Sequence, residues 1–309
     1  AAAFLPGWAG WGFFLAFSIP AGLGTAFLYP SIQSCAQKWY AGRKGLATGV
    51  IGGAVGLSGA FLTLFVRAAL RGFGPVQGIR GAFWALGALT LPVCLVGSAL
   101  LTDPPPAKQK PEEQGRGKGT PSLDLAPLQM LRTKQYWLCA GAVCCSTPAV
   151  LLFSPEIFKI AAERGLPESA APYSIVLGSA ASAAGRMLLP AVSDKLGRKP
   201  VLYAVYIGLA AGSAWFAFAE AWWLLAAYAL LTFFYSGGAA VQPSFNTDLF
   251  GLAHAGVNYG FIALGMSGGS ILSYIGAQAL PLAARHWLAG GCAVAGLVCV
   301  SLVKPVENS

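Results

Sequence analysis

The chain has 309 residues, 56% of them apolar and only 10% charged, where a soluble domain carries about 25% charge. With a mean hydropathy of +0.63, this balance excludes a soluble enzyme, a secreted disulfide scaffold and a disordered chain, and reads as a polytopic all-α membrane protein. The net charge of +9 then points to basic cytoplasmic loops, which set orientation in the lipid bilayer, and not to nucleic acid.

Nine apolar segments follow in chain order, at about 9–34, 45–68, 81–101, 136–156, 173–192, 199–218, 222–244, 257–279 and 284–303. Each is close to the roughly 20 residues that cross a hydrocarbon core as a helix. Gly accounts for 40 residues, and runs such as GSAASAAG at 178–185 suit helices that approach closely in lipid. The segments are too long, and alternate too little, for a transmembrane β-barrel. The opening AAAFLPGWAGWG has neither a basic n-region nor a cleavage pattern. It reads as a chain entered partway through, not as a signal peptide.

Between the third and fourth segments, residues 103–135 are rich in Pro, Lys, Glu and Gly. Such a stretch cannot bury a core and reads as a flexible cytoplasmic linker. It divides residues 1–102, a partial N-terminal bundle of three spans, from residues 136–309, a C-terminal bundle of six. Thirteen basic residues lie on the side of Lys38, Arg43, Lys44, the linker, Lys195, Arg198, Lys199 and Lys304. Six lie on the side of Arg67, Arg71, Arg80, Lys159, Arg164 and Arg285. The first side is therefore cytoplasmic, and nine spans carry the chain from outside to inside.

The seven cysteines lie almost entirely in apolar runs, with no CxxC pair, and read as small hydrophobic packing residues. His254 and His286 stand alone near helix ends, so no metal is assigned. No cofactor is expected either.

An internal repeat spans the linker. PSIQ at 30–33, Trp39 and GRKGLATGV ending at Val50 match PSFN at 243–246, Phe250 and AHAGVNYGF ending at Phe261. Trp39 with Phe250, Gly45 with Gly256 and Gly49 with Gly260 all fall at an offset of 211. Repeated halves joined by a linker are a transporter signature.

After the fifth segment comes PAVSDKLGRK, residues 190–199, a short charged turn between two apolar helices. Gly197 permits a tight turn. Lys195, Arg198 and Lys199 anchor the cytoplasmic face, and Asp194 can pair with an Arg or a helix N-terminus to latch one conformation. The plainer alternative is a basic loop that only sets topology. The turn resembles the loop motif of the major facilitator superfamily, G-x-L-x-D-R-x-G-R-R/K, with Pro190 in place of the leading Gly. With Trp39-Tyr40, RKGLATG at 43–49 and the run at 250–260, the chain resembles the oxalate/formate antiporter branch, and monocarboxylate transporters look similar. The resemblance implies a twelve-helix bundle of which this chain supplies helices four to twelve. Three helices, with the first copy of the loop motif, would then be missing, as in a fragment or the product of a truncated gene. It also implies a monomer at full length.

Arg186 is the most informative residue. It precedes Asp194 by eight residues, about 12 Å along a helix, which places it near the middle of a hydrocarbon core about 30 Å thick. An Arg there costs about 2.5–3.5 kcal/mol on insertion scales and faces a cavity or a partner. No Asp or Glu occupies the middle of another span; Glu156, Glu220 and Asp248 lie near ends. The planar guanidinium fork matches a carboxylate, so the residue argues for a small organic anion as substrate. The alternative is a structural Arg bonded to backbone carbonyls. The resemblance implies carboxylate binding through an Arg at this place, with a Lys in the eleventh helix for oxalate-type members. GVNYGFIALGMSGGSILSYIGA has no Lys, which favours a monocarboxylate. Proton-coupled relatives resemble a pattern with Asp four residues before the Arg, where this chain has Ser182.

Tyr29, Phe234 and Tyr235 lie at depths where they can line the cavity, although packing is the plainer role for each. Asn258 is expected to cap the eighth segment, and Trp222, Trp223 and Trp287 to form an interfacial belt. No HExxH, phosphate loop or intramembrane carboxylate pair supports an enzyme. Two readings stand: a carrier of small organic anions by antiport or proton-linked symport, or a truncated, non-transporting relative. The chain is expected to be a multi-pass integral membrane protein, in a membrane the sequence does not name.

Overall fold

The computed structural model describes residues 10–102, 124–167, 169–170 and 172–304. A helical turn at Gly10–Phe13 passes through a π-helical turn, Phe14–Ser18, into α1 (Ile19–Trp39), followed by α2 (Lys44–Phe73) and α3 (Pro75–Leu100). A short helix α4 (Pro127–Leu131) leads to α5 (Lys134–Ser146), α6 (Pro148–Leu151) and α7 (Ile157–Glu163). The long helices α8 (Pro172–Leu196), α9 (Arg198–Phe218), α10 (Ala221–Phe250), α11 (Ala255–Ala279) and α12 (Leu282–Leu302) complete the chain. Among the described residues there is no strand, and nine helical stretches are long and apolar enough to cross a membrane. The chain is a multi-pass integral membrane protein.

Two expectations about these segments change. α2 and α10 each run for 30 residues, about 45 Å, and so overshoot the segments 45–68 and 222–244. Their polar ends, Lys44 and Asp248, are used in contacts between helices. The fourth segment is not one helix but α5, α6, a 3₁₀ turn at Ser154–Glu156 and α7. Pro148 and Pro155 lack an N–H and clash with the preceding turn. Pro30, Pro92, Pro190 and Pro243 stay inside helices. At two of them a hydroxyl one turn on donates to the proline's own carbonyl: Ser193 to Pro190 O at 2.7 Å and Thr247 to Pro243 O at 2.8 Å.

Of the expected linker, residues 103–123 lie outside the described residues. Residues 124–135 are docked, which corrects that expectation for this stretch. The Leu125 N–H donates to Phe250 O at 3.0 Å, and Asp124 Oδ1 accepts from the Ala253 N–H at 3.1 Å. Met130 is fully buried. The apolar side chains of LAPLQML drive this docking, and a composition reading dominated by Pro and Lys overlooks them. Asn258 caps nothing: it lies inside α11, buried, with Nδ2 donating to Leu125 O at 3.0 Å.

The core sits among α5, α9, α10, α11 and α12, where Tyr206, Phe216, Leu231 and Ile262 are essentially inaccessible. Tyr206 donates to Ala142 O at 2.6 Å. His286, read as standing alone, is buried and stacked on Phe153 with ring centroids 4.6 Å apart, while its Nε2 meets Arg164 Nη2 at 3.1 Å. Trp222, Trp223 and Trp287 are exposed at helix starts.

The internal repeat is visible in the helix boundaries. The ends Trp39 and Phe250, and the starts Lys44 and Ala255, are both separated by 211 residues. The first three spans join the rest chiefly through α2, whose Gly45, Gly49, Gly52, Gly53, Gly56 and Gly59 line the side facing α8. A Cβ at Gly56 would fall 2.7 Å from the Ala183 backbone nitrogen, and one at Gly45 would overlap the Pro190 carbonyl oxygen. Small residues let two backbones meet where lipid offers no hydrophobic drive for association.

Candidate functional site

Two tiers of polar residues lie between α2, α8, α10, α11 and α1. The outer tier is at the basic end, where the α8–α9 turn meets the start of α2. Gly197 makes that turn at φ +94°, a conformation open to a residue without Cβ. The first N–H groups of α2 have no partner in their own helix, and its N-cap residue, Arg43, offers no acceptor. Asp194 supplies one from α8: Oδ1 accepts from Gly45 N and Oδ2 from Leu46 N, each at 2.9 Å. Arg198 Nη1 lies 2.7 Å from Asp194 Oδ1, and its Nε bonds Asp248 Oδ2 at 3.0 Å. Asp248 also holds Lys44 at 3.1 Å. Asp194 and Arg198 are largely shielded, with side chains 15% and 13% exposed. Charge-assisted bonds of this kind contribute about 1.5–3 kcal/mol each. Lys195 is exposed and Lys199 half-buried; neither joins these bonds.

The inner tier centres on Arg186. Its stem lies against α2, where a Cβ at Gly52 would come within 3.1 Å of Arg186 Cβ. Nε donates to Ser182 Oγ at 3.4 Å, and Ser182 donates to Ser236 Oγ at 2.7 Å. Among the described residues no carboxylate pairs with Arg186, and its Nη groups carry no protein hydrogen bond. The hydroxyls of Tyr235 and Tyr259 lie in the neighbourhood of the guanidinium. Tyr29, on α1, faces Tyr259 with ring centroids 6.5 Å apart. Ser146, Tyr206, Tyr235, Gln242, Tyr259 and Met266 line a small cavity behind these rings.

The structure therefore gathers Arg186, Tyr29 and Tyr235, and separates Phe234. That ring lies over Gly208 of α9 and meets Phe233 edge-on at 5.3 Å. It is a packing residue, because the next position on a helix points about 100° away. Ser236, Tyr259 and Gln33 were missed by the sequence reading. Tyr259 lies within the repeat match at 253–261, which served there only as a marker. Gln33 closes PSIQ at 30–33, which likewise served only as a repeat marker, and Ser236 carries no pattern of its own. Among the described residues there is no cluster of side chains that could hold a metal ion.

The sequence model of the Major Facilitator Superfamily matches residues 1–306, and the chain belongs to that family. It is 29% identical over 253 residues to the uncharacterized MFS-type transporter YhjX of Escherichia coli K12, covering 80% of this chain and 60% of that protein. It is 26% identical over 246 residues to the oxalate:formate antiporter of Oxalobacter formigenes, covering 78% of this chain and 56% of that one. The chain thus spans less than two thirds of these relatives' length. Crystal structures of the E. coli fucose:proton symporter FucP superpose with TM-scores of 0.63 and 0.64, the second in an outward conformation. Their identities are 17% and 18%, and they cover 94% of this chain and 77% and 76% of theirs. These likenesses show a shared fold.

Proposed function

We propose that the chain forms the larger part of a carrier for small organic anions that works by alternating access, with Arg186 as the carboxylate ligand. The observation that carries this reading is a guanidinium deep in the bundle whose Nη groups bond none of the described residues, beside Tyr235, Tyr259 and Tyr29. A membrane-embedded cation without a protein anion is suited to an anion from solution, and its fork matches a carboxylate. The oxalate:formate antiporter among the relatives supports the carboxylate class. A single cation in this tier favours a monocarboxylate over a dianion. The Asp194–Arg198–Asp248–Lys44 network serves as the cytoplasmic latch that breaks when the site opens inward. Turning a two-state equilibrium from 1:99 to 99:1 takes about 5.5 kcal/mol, within reach of a few such bonds.

The test is uptake of radiolabelled formate, lactate and oxalate into vesicles carrying the protein expressed from its complete gene. One of these should exchange, and Arg186→Ala should abolish that flux while the protein still inserts. Unchanged flux in the variant would remove Arg186 from the site. Stimulation by the same anion on the far side marks antiport; stimulation by an inward proton gradient marks symport.

A further inference from the structure

Gln33 is a buried amide with no bond at either end. It is 1% exposed, and neither Nε2 nor Oε1 has a partner among the described residues. It differs in this from Asn246, Asn258 and His286, whose orphan atom sits beside a second polar atom that is bonded. A primary amide brings two donors and an acceptor, and an apolar side chain of similar size would fill the space without leaving them unpaired.

Its position explains what the amide is for. Tyr29, Gln33 and Gln37 are spaced at four-residue intervals on α1 and so share one face. At one end Tyr29 faces Tyr259, in the tier of Arg186. At the other, the Thr247 hydroxyl donates to Gln37 Oε1 at 2.5 Å. Gln33 lies between, about 6 Å from each along the helix. The seal on its basic side consists of Gln37–Thr247, Thr48–Ser244 at 3.3 Å, and Asp194 on Gly45. In this closed arrangement nothing reaches the amide. Once that seal parts, Gln33 is the first donor on the inner side of the parted groups, between them and Arg186.

We propose that Gln33 is a substrate contact of the state open at the basic end, its Nε2 donating to a carboxylate oxygen in transit between Arg186 and the cytoplasm. A neutral donor suits that place: it guides the anion without holding it as a second cation would. The inference rests on the reading of the chain as an anion carrier.

The experiment compares wild type, Gln33→Leu and Gln33→Glu in vesicles of defined orientation, with exchange of radiolabelled formate, lactate or oxalate measured from each face. Gln33→Leu should raise the half-saturating concentration about tenfold at the face bearing Arg198, a charge-assisted hydrogen bond's worth, and less than twofold at the opposite face. Gln33→Glu should suppress uptake from the Arg198 face by charge repulsion. An equal rise at both faces would place Gln33 in the central site and overturn the one-sided role. Unchanged kinetics in Gln33→Leu, whatever its melting temperature, would remove the amide from the anion's path and overturn the proposal. Should wild type exchange none of the three anions, the carrier reading itself falls; should it exchange one while both variants match it, only the Gln33 assignment falls.

Discussion

Asp194 on α8 caps α2 at Gly45, 149 residues earlier in the chain, with its carboxylate 2.9 Å from the Gly45 nitrogen. A helix start with no acceptor of its own and a carboxylate from another helix thus complete each other. Asn keeps one acceptor and loses the charge that also holds Arg198. Asp194→Asn should therefore change the maximal exchange rate severalfold with less than a twofold change in KM, measured in vesicles. A loss confined to affinity would contradict a latch.

The α2–α8 seam tolerates no added volume. Gly56→Val should lower thermal stability in detergent, because even a Cβ would fall 2.7 Å from Ala183 N and Cα; overpacking of this kind costs about 1–3 kcal/mol. Gly290→Ala, where no atom lies within 4 Å of the added carbon, should leave the melting temperature unchanged.

Lys at position 186 keeps the charge but not the fork. Arg186→Lys should retain slow exchange with KM raised about tenfold or more. Full activity in that variant would show that only charge matters, and that the paired geometry does not.

Neighbouring aromatics on α10 should separate cleanly. Phe234→Ala empties the space over Gly208 and should cost about 3–5 kcal/mol of stability with KM unchanged. Tyr235→Phe keeps the packing and removes a hydroxyl near Arg186 and Thr147, so it should raise KM severalfold and leave the melting temperature within a degree or two.

Much of the fold was legible from one dimension. A bilayer imposes a minimum length and apolar content on each span, and all nine segments are local features that satisfy it. The depth of Arg186 follows from counting residues to Asp194. The breaks at Pro148 and Pro155 were equally available in the sequence, but a hydropathy window averages over them. The docking of 124–131 was hidden for a similar reason: Leu125 and Met130 are too few to register against the Pro- and Lys-rich stretch before them.

The sequence by itself determined the nine candidate spans, the charged turn at 193–199 and the cation in the middle of a span, because these depend on length, hydropathy and spacing along one segment. Only the tertiary structure decided which side chains meet. Phe234 and Tyr235 are adjacent in sequence, yet one packs on Gly208 and the other stands near Arg186, because a helix turns about 100° per residue. Asp194 finds Gly45, and Gln33 finds no partner among the described residues, because those outcomes depend on how the faces of distant helices come together.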